Sequence, residues 1–213
     1  MNDRVAEMRR TYGLGKLDID DLLPDPIAQF ARWFDQAVDA GLVDPNAMSL
    51  ATATASGQTS IRTVLLKGYG HDGFMFFTNL QSTKALQIEE NPHVSLLFFW
   101  RELERQVIVN GTAARLPLAQ VAKYFLSRPR ESRIAAWVSN QSRTISARHV
   151  LEAKFEEMLR TFGAGEIPVP SFWGGYRVVP GTIEFWQGGT RRLHDRFLYS
   201  RAAPDWSVER LSP

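Results

Sequence analysis

IRTVLLKGYGHDGFMFFTN, residues 61–79, reads as two short strands around a tight turn. Ile61 to Leu66 is rich in β-branched and apolar residues, His71-Asp72-Gly73 is turn chemistry, and Phe74 to Thr78 is apolar again. The pattern extends both ways. Upstream, Met48 to Thr54 alternates small and apolar residues before a Ser56-Gly57 turn. Downstream, Ser82 to Glu90 reads as a short helix ended by Asn91-Pro92, then Val94 to Trp100 and Arg105 to Leu116 as strands. Three helices follow: Pro117 to Phe125, Glu131 to Val138, and a third in which Val150, Leu151, Phe155, Met158, Leu159 and Phe162 keep helical spacing up to Gly163 and Gly165. Pro168 and Pro170 lead into a last β region with strands at Tyr176–Val179, Thr182–Trp186, His194–Ser200 and Trp206–Leu211. Near the start, Asp25-Pro26 is an N-cap with proline at the first helical position, and Ile27, Phe30, Ala31, Phe34 and Val38 follow before Gly41. Short strands in hairpin succession with few, clustered helices predict a mainly β, α+β fold, an antiparallel barrel or sandwich with flanking helices.

The chain has 213 residues, 44% hydrophobic and 23% charged, enough for one domain over 1–213 with a substantial core. Residues 1–24 form a polar arm with Gly13, Gly15 and an acidic run from Asp18 to Asp21. There is no cysteine, so no disulfide or thiol nucleophile is available. The opening MNDRVAEMRR has no apolar core, and no window approaches the roughly 18 apolar residues of a membrane span, so a cytoplasmic location without membrane contact is expected. The net charge is only +2 and the arginines are scattered, which points to discrete anion sites rather than a nucleic-acid surface. No phosphate-binding GK[ST] loop, GxGxxG, HExxH or GxSxG motif occurs, and His71, His93, His149 and His194 lie far apart, so no metal site is expected.

What remains is a set of cation-plus-hydroxyl clusters. Arg62 and Lys67 end the RTVLLK segment. In a regular strand their odd separation places them on opposite faces, serving different ligands or different parts of one; solvated edge charges are the plainer alternative. Ser82-Thr83-Lys84 at a helix start suits a phosphate cradle or a simple N-cap. Tyr124, Arg128 and Ser132, spaced four and four, offer donors for a phosphate dianion, although Pro129 interrupts the helix that would align them; the alternative is an arginine satisfying last-turn carbonyls. Gln141-Ser142 could meet a heteroaromatic edge. The richest segment is FWQGGTRRLHDRF, 185–197: its glycines admit close backbone approach, Trp186 can pack on a planar ring, and Arg192, His194 and Arg196 share one face if the segment is a strand. A solvated β surface is the competing reading.

Taken together these residues resemble the pyridoxamine 5′-phosphate oxidase family. The resemblance rests on RTVLLK at 62–67, FFTN at 76–79, SLLFFW at 95–100, LERQV at 103–107, YFLSRPRES at 124–132, SNQS at 139–142, PSFWGGYR at 170–177, FWQGGTRRLHDRF at 185–197 and the closing ERLSP. It covers nearly the whole chain. It implies an FMN-binding split β-barrel, antiparallel and Greek-key-like, in a homodimer with FMN at the interface and residues 171–213 as the dimerisation region. The flavin would then meet Arg62, Thr63, Val64, Leu65, Leu66, Lys67, Phe77, Thr78, Lys84, Gln106, Gln141, Ser142, Trp186 and Arg196. The substrate phosphate would meet Lys67, Tyr124, Arg128 and Ser132, with Arg192 and His194 as catalytic residues facing the pyridine ring beside Leu193. Arg9, Arg10, Thr11 and Tyr12 match a segment that folds over the substrate, and Asp44 lies in a loop near the active site.

The resemblance implies oxidation of pyridoxine 5′-phosphate and pyridoxamine 5′-phosphate to pyridoxal 5′-phosphate. Hydride leaves C4′ for FMN and O2 reoxidises the flavin with release of H2O2; the alcohol gives the aldehyde directly, and the amine gives an imine that water hydrolyses, releasing NH3. Three positions depart from the family pattern. Thr83 stands where an arginine is usual, Ile108 where a polar or basic residue is common, and the stretch after Gly15 lacks a basic run. Another split-barrel flavin oxidoreductase, or a non-catalytic binder of pyridoxal 5′-phosphate, are the alternatives.

Overall fold

The computed structural model describes residues 3–8 and 10–213. In chain order the elements are helices α1 (Asp3–Ala6) and α2 (Pro26–Asp39), strands β1 (Ala47–Ala53), β2 (Thr59–Leu65), β3 (Gly68–Gly70) and β4 (Gly73–Asn79), helix α3 (Thr83–Glu90), strands β5 (His93–Trp100) and β6 (Arg105–Arg115), helices α4 (Leu118–Ser127), α5 (Arg130–Val138) and α6 (Arg148–Phe162), and strands β7 (Trp173–Gln187), β8 (Asp195–Ala202) and β9 (Asp205–Arg210). The main run of the sheet is β2-β1-β5-β6-β7-β4-β3, with β8 and β9 joined on through β7. Such an order is not that of a simple meander. The mainly β, antiparallel reading with flanking helices holds. Among the described residues no helix is long and apolar enough to cross a membrane.

By contacts the chain divides into two units. The first takes the chain up to Leu50 with Ser95–Gly111 and Pro180–Pro213. Its helix α2 begins where Asp25 accepts from the backbone N–H groups of Ile27 and Ala28, at 3.0 and 3.3 Å, which satisfies donors that the first helical turn leaves open. The buried stripe is Ile27, Phe30, Trp33 and Ala37, whereas Val38, expected inside, is exposed. Trp33 meets Phe185 edge-on at 5.2 Å, and Phe30 meets Phe98 at 4.9 Å. Strand β8 pairs with the second half of β7, from Thr182↔Ser200 to Gln187↔Asp195, and β9 pairs with β8.

The second unit is Ala51–Val94 with Thr112–Val179. Here β4 pairs with β3 in a tight hairpin and with the first half of β7, from Phe74↔Val178 to Asn79↔Trp173. Gly73 makes this possible: its φ is +124° and a Cβ there would lie 2.2 Å from the Val178 carbonyl oxygen. Helices α4, α5 and α6 close over a cluster of Leu116, Val121, Phe125, Ile134, Ala136, Ile167 and Trp173, against which Phe155, Met158, Leu159 and Phe162 of α6 are packed.

Two of the strands expected from sequence are one. The expected strands Tyr176–Val179 and Thr182–Trp186 leave Pro180-Gly181 between them, yet β7 runs through both residues. The ladder with β4 ends at Val178 and that with β8 starts at Thr182, so the proline, which has no N–H to give a ladder, sits where the strand changes partners.

Candidate functional site

Strand β2, the loop after it, β4, the start of α3 and the α4–α5 junction converge on a cleft of about 760 Å³ in the second unit. It is lined by Arg62, Thr63, Val64, Leu65, Lys67, Phe77, Thr78, Thr83, Lys84, Tyr124, Arg128, Pro129, Ser132, Gln141, Ser142 and Trp173. The volume suits a small-molecule ligand. Four of the lining side chains are cationic and none is a carboxylate. Such a wall attracts anions strongly and offers no internal neutralisation.

The sequence expected Arg62 and Lys67 to face apart. β2 ends at Leu65, so its alternation does not reach Lys67; both cations line one cleft, which fits the reading of different parts of one ligand. Leu66, expected at the flavin, is buried and does not line the cleft.

The cleft has two polar groups of residues. In one, Lys84 Nζ reaches the Thr78 and Ser82 hydroxyls and Gln141 Oε1, each at 3.3 Å, and Thr78 also donates to Gln141 at 3.3 Å. Burial, and then the charge of Arg62, push the Lys84 ammonium below its ordinary range. Ser142, at φ 65°, places its hydroxyl to accept from the Thr83 N–H at 3.2 Å. The N-cap Ser82 makes no side-chain cap bond, so the hydroxyl is left to Lys84.

The other group lies at the α4–α5 junction. α4 stops at Ser127, Arg128 takes an extended conformation and α5 resumes at Arg130, as Pro129 requires. Tyr124, Arg128 and Ser132 nevertheless all line the cleft. Tyr124 stacks on Phe77 with ring centroids 3.9 Å apart and planes at 14°. The Arg128 guanidinium lies 4.3 Å over the Trp173 ring, and burial lowers its pKa. Its Nη1 is buried without a hydrogen-bond partner among the described residues. A buried guanidinium N–H left open is costly unless a ligand satisfies it. Sequence reasoning missed Trp173; the distance along the chain from Arg128 hides the pairing.

The remaining expected residues lie in the first unit. Tyr12, Trp186 and His194 form an aromatic trio: Tyr12 meets the other two rings edge-on at 5.8 and 5.4 Å, and Trp186 and His194 are 4.7 Å apart. His194 Nδ1 accepts from the Gly189 N–H at 3.1 Å, which in the neutral ring leaves the proton on Nε2. Only glycine fits at 189, since a Cβ would lie 2.0 Å from the Leu193 carbonyl oxygen. The strand alternation expected for Arg192 and His194 is corrected as well. Thr190–Arg192 is a single helical turn with Arg191 and Arg192 at φ 57° and 64°, and β8 begins only at Asp195. Arg192 and Leu193 are exposed. Arg196 donates to Glu184 and to the Ser212 carbonyl, both at 2.8 Å, and Gln106 is half-buried on β6. Arg10, Thr11 and Tyr12 lie in the arm, whereas Arg9 is outside the described residues.

The arm has an anchor that the sequence did not reveal. Glu104, 2% exposed and at φ 54°, accepts from the N–H groups of Gly13 and Leu14 at 2.8 and 3.0 Å and pairs with Arg10 at 3.2 Å. Its own carbonyl is held by the Gly188 N–H at 2.7 Å and by Gln187 at 3.3 Å. The Leu14 N–H holds the Glu104 carboxyl below its ordinary range against the opposing effect of burial, with Gly13 and Arg10 adding to it. This anchorage is therefore full above the ordinary glutamate value of about 4.3 and is lost as pH falls through the lowered one. Glu104→Ala should speed limited proteolysis across residues 10–14 about tenfold at neutral pH, roughly the worth of one hydrogen bond to a charged group. Unchanged cleavage would mean that the arm is held elsewhere.

Residues 34–162 match the family model described as pyridoxamine 5′-phosphate oxidase, and residues 173–213 that of the pyridoxine 5′-phosphate oxidase C-terminal dimerisation region. The chain is 56% identical over 209 residues to the pyridoxine/pyridoxamine 5′-phosphate oxidase of Shewanella amazonensis, covering 98% of this chain and 99% of that one. It is 56% identical over 210 residues to the protein of the same name from Escherichia fergusonii, covering 99% and 96%. Among solved structures it resembles PhzG from Burkholderia lata in complex with tetrahydrophenazine-1-carboxylic acid, at 31% identity and a TM-score of 0.87 over 93% of this chain and 100% of that one. A pyridoxamine 5′-phosphate oxidase-related, FMN-binding protein from Nostoc punctiforme, 17% identical, shares the fold with a TM-score of 0.71 over 90% of this chain and 100% of that one.

Proposed function

The chain belongs to the pyridoxamine 5′-phosphate oxidase family, and from that membership we propose that it oxidises pyridoxine 5′-phosphate and pyridoxamine 5′-phosphate to pyridoxal 5′-phosphate. It is a flavin enzyme, and the flavin is FMN. When bound, the flavin supplies the redox chemistry, taking hydride from C4′ and passing the electrons to O2 with formation of H2O2. The observation that carries the reading is the cleft walled by four cations and no carboxylate, with a buried Arg128 N–H left open. A phosphorylated ligand would satisfy both features.

Within it, Arg62, Thr63, Val64, Leu65, Lys67, Phe77, Thr78, Lys84, Gln141 and Ser142 would hold FMN; Gln106, Trp186 and Arg196 are the remaining flavin residues that the family pattern implies. Lys67, Tyr124, Arg128 and Ser132 would hold the substrate phosphate. Arg192 would steady the pyridine ring, and His194 would orient the C4′ substituent or move its proton through Nε2. Leu193 and the arm residues Arg9, Arg10, Thr11 and Tyr12 would complete the substrate's surroundings. The chain would work as a homodimer with FMN at the interface, which the matched dimerisation region at 173–213 supports.

The test is anaerobic mixing of FMN-loaded protein with pyridoxine 5′-phosphate while the oxidised-flavin absorbance is followed. Bleaching that air reverses, with H2O2 produced, is the expected result. A flavin that binds but bleaches with neither phosphorylated vitamer would overturn the substrate assignment and leave another split-barrel oxidoreductase activity. Binding of pyridoxal 5′-phosphate without any flavin would leave a carrier.

A further inference from the structure

Two neutral side chains, Thr52 and Gln87, hold the Arg62 guanidinium. Its Nη1 donates to Thr52 Oγ1 at 2.6 Å, and its Nη2 lies 3.5 Å from Gln87 Oε1. Thr52 in turn donates to Gln87 Oε1 at 2.5 Å, and Gln87 Nε2 donates to Ser60 at 3.1 Å. The direction of this relay follows from the chemistry. An amide oxygen can only accept, so the single Thr52 proton is committed to Gln87 and the Thr52 oxygen is left to accept from Arg62. Thr52 is 2% exposed and Gln87 5%, so neither can exchange these bonds for water without opening the structure. Neither residue lines the cleft.

The choice of partner has an electrostatic consequence. A carboxylate would orient the guanidinium equally well, but it would cancel the charge that the cleft presents to an anion. Thr52 and Gln87 fix the plane of the fork and leave the charge in place. Burial already works against the Arg62 cation, and burial, with the charge of Arg62 adding to it, depresses Lys84. Holding both cations charged and in register suits a dianion that satisfies them together.

We propose that Thr52 and Gln87 are positioning residues that preorganise the Arg62 guanidinium for the phosphate of the bound flavin. The inference rests on reading this cleft as the flavin site. On α3, Gln87 follows Lys84 by three and lies between Ala85 and Ile88 on the buried side of the helix.

The experiment compares the dissociation constants of FMN and of riboflavin, which lacks the phosphate, by fluorescence quenching on apo-protein. The wild type should prefer FMN. Thr52→Val, nearly isosteric but without the hydroxyl, should weaken FMN about tenfold, as expected for loss of one hydrogen bond to a charged group, and leave riboflavin unchanged. Thr52→Ser should restore the wild-type preference. Gln87→Glu keeps the shape and adds a charge beside Arg62; it should weaken FMN further, and the affinity should recover as the pH is lowered to protonate the new carboxyl. That recovery is a signature that a merely structural role would not give, and it remains available if Thr52→Val fails to fold. A wild type that binds FMN and riboflavin alike would defeat the reading of the cleft itself. A wild type that prefers FMN, with Thr52→Val and Gln87→Glu keeping that preference, would overturn the positioning role alone.

Discussion

Arg128→Ala should raise the KM for pyridoxine 5′-phosphate about 100-fold while kcat stays within about twofold of wild type, the pattern of a lost ground-state contact. The size follows from the site. Arg128 is stacked over Trp173 at 4.3 Å, and one of its N–H groups is buried with no partner among the described residues. The guanidinium is thus already oriented, and one of its N–H groups desolvated, before any ligand arrives, and little entropy is left to lose on binding. One or two charge-assisted hydrogen bonds at about 1.5–3 kcal/mol each cover that range. Arg128→Lys should recover only part of it, because a lysine keeps the charge but not the planar stack. Steady-state kinetics on the FMN-loaded variant decide the matter. An unchanged KM would remove Arg128 from the substrate phosphate, and a loss of FMN would move it to the cofactor.

Much of this was legible in the sequence, and the failures have physical causes. The turn at 71–73 and strand β4 were readable because their chemistry is local, but β3 was not expected, and β2 pairs with β1 rather than across that turn. Helix α2 was readable from Asp25-Pro26, although Trp33 and Ala37 took the buried stripe that Val38 was expected to share. The cation-plus-hydroxyl clusters at 62–67, 82–84 and 124–132 were visible as residue types, and all three contribute to one cleft. Sequence could not give their mutual placement. The parity argument for Arg62 and Lys67 assumed a strand that stops at Leu65, and the alternation argument for Arg192 and His194 assumed a strand where the backbone turns through φ 57° and 64°. Positive φ at a non-glycine residue leaves little trace in composition. Supporting contacts were invisible for a related reason. Thr52, Gln87, Trp173 and Glu104 act on residues that lie elsewhere along the chain, and a threonine or glutamine in an apolar run announces nothing by itself.

His194→Ala should lower kcat about 100-fold with the flavin still bound, within the range usual for loss of a positioned acid or base. The argument turns on which nitrogen is available. Nδ1 is occupied by the Gly189 N–H at 3.1 Å, so the neutral ring carries its proton on Nε2 and offers that atom to a ligand. Packing against Trp186 at 4.7 Å and Tyr12 at 5.4 Å holds the ring in place. His194→Asn separates the two jobs of the imidazole. An asparagine oxygen can take over the Gly189 bond and preserve the 189–194 turn, but it does not reproduce a ring nitrogen at the Nε2 position. If the loss comes from Nε2, Asn should be nearly as slow as Ala while its melting temperature stays near wild type. If Asn recovers most of the rate, His194 serves the turn, and the chemistry rests on Arg192, whose exposed side chain leaves the same turn at φ 64°. Arg192→Ala should then show the larger fall in kcat, again with flavin retained. Loss of flavin in either variant would instead make that residue a cofactor anchor.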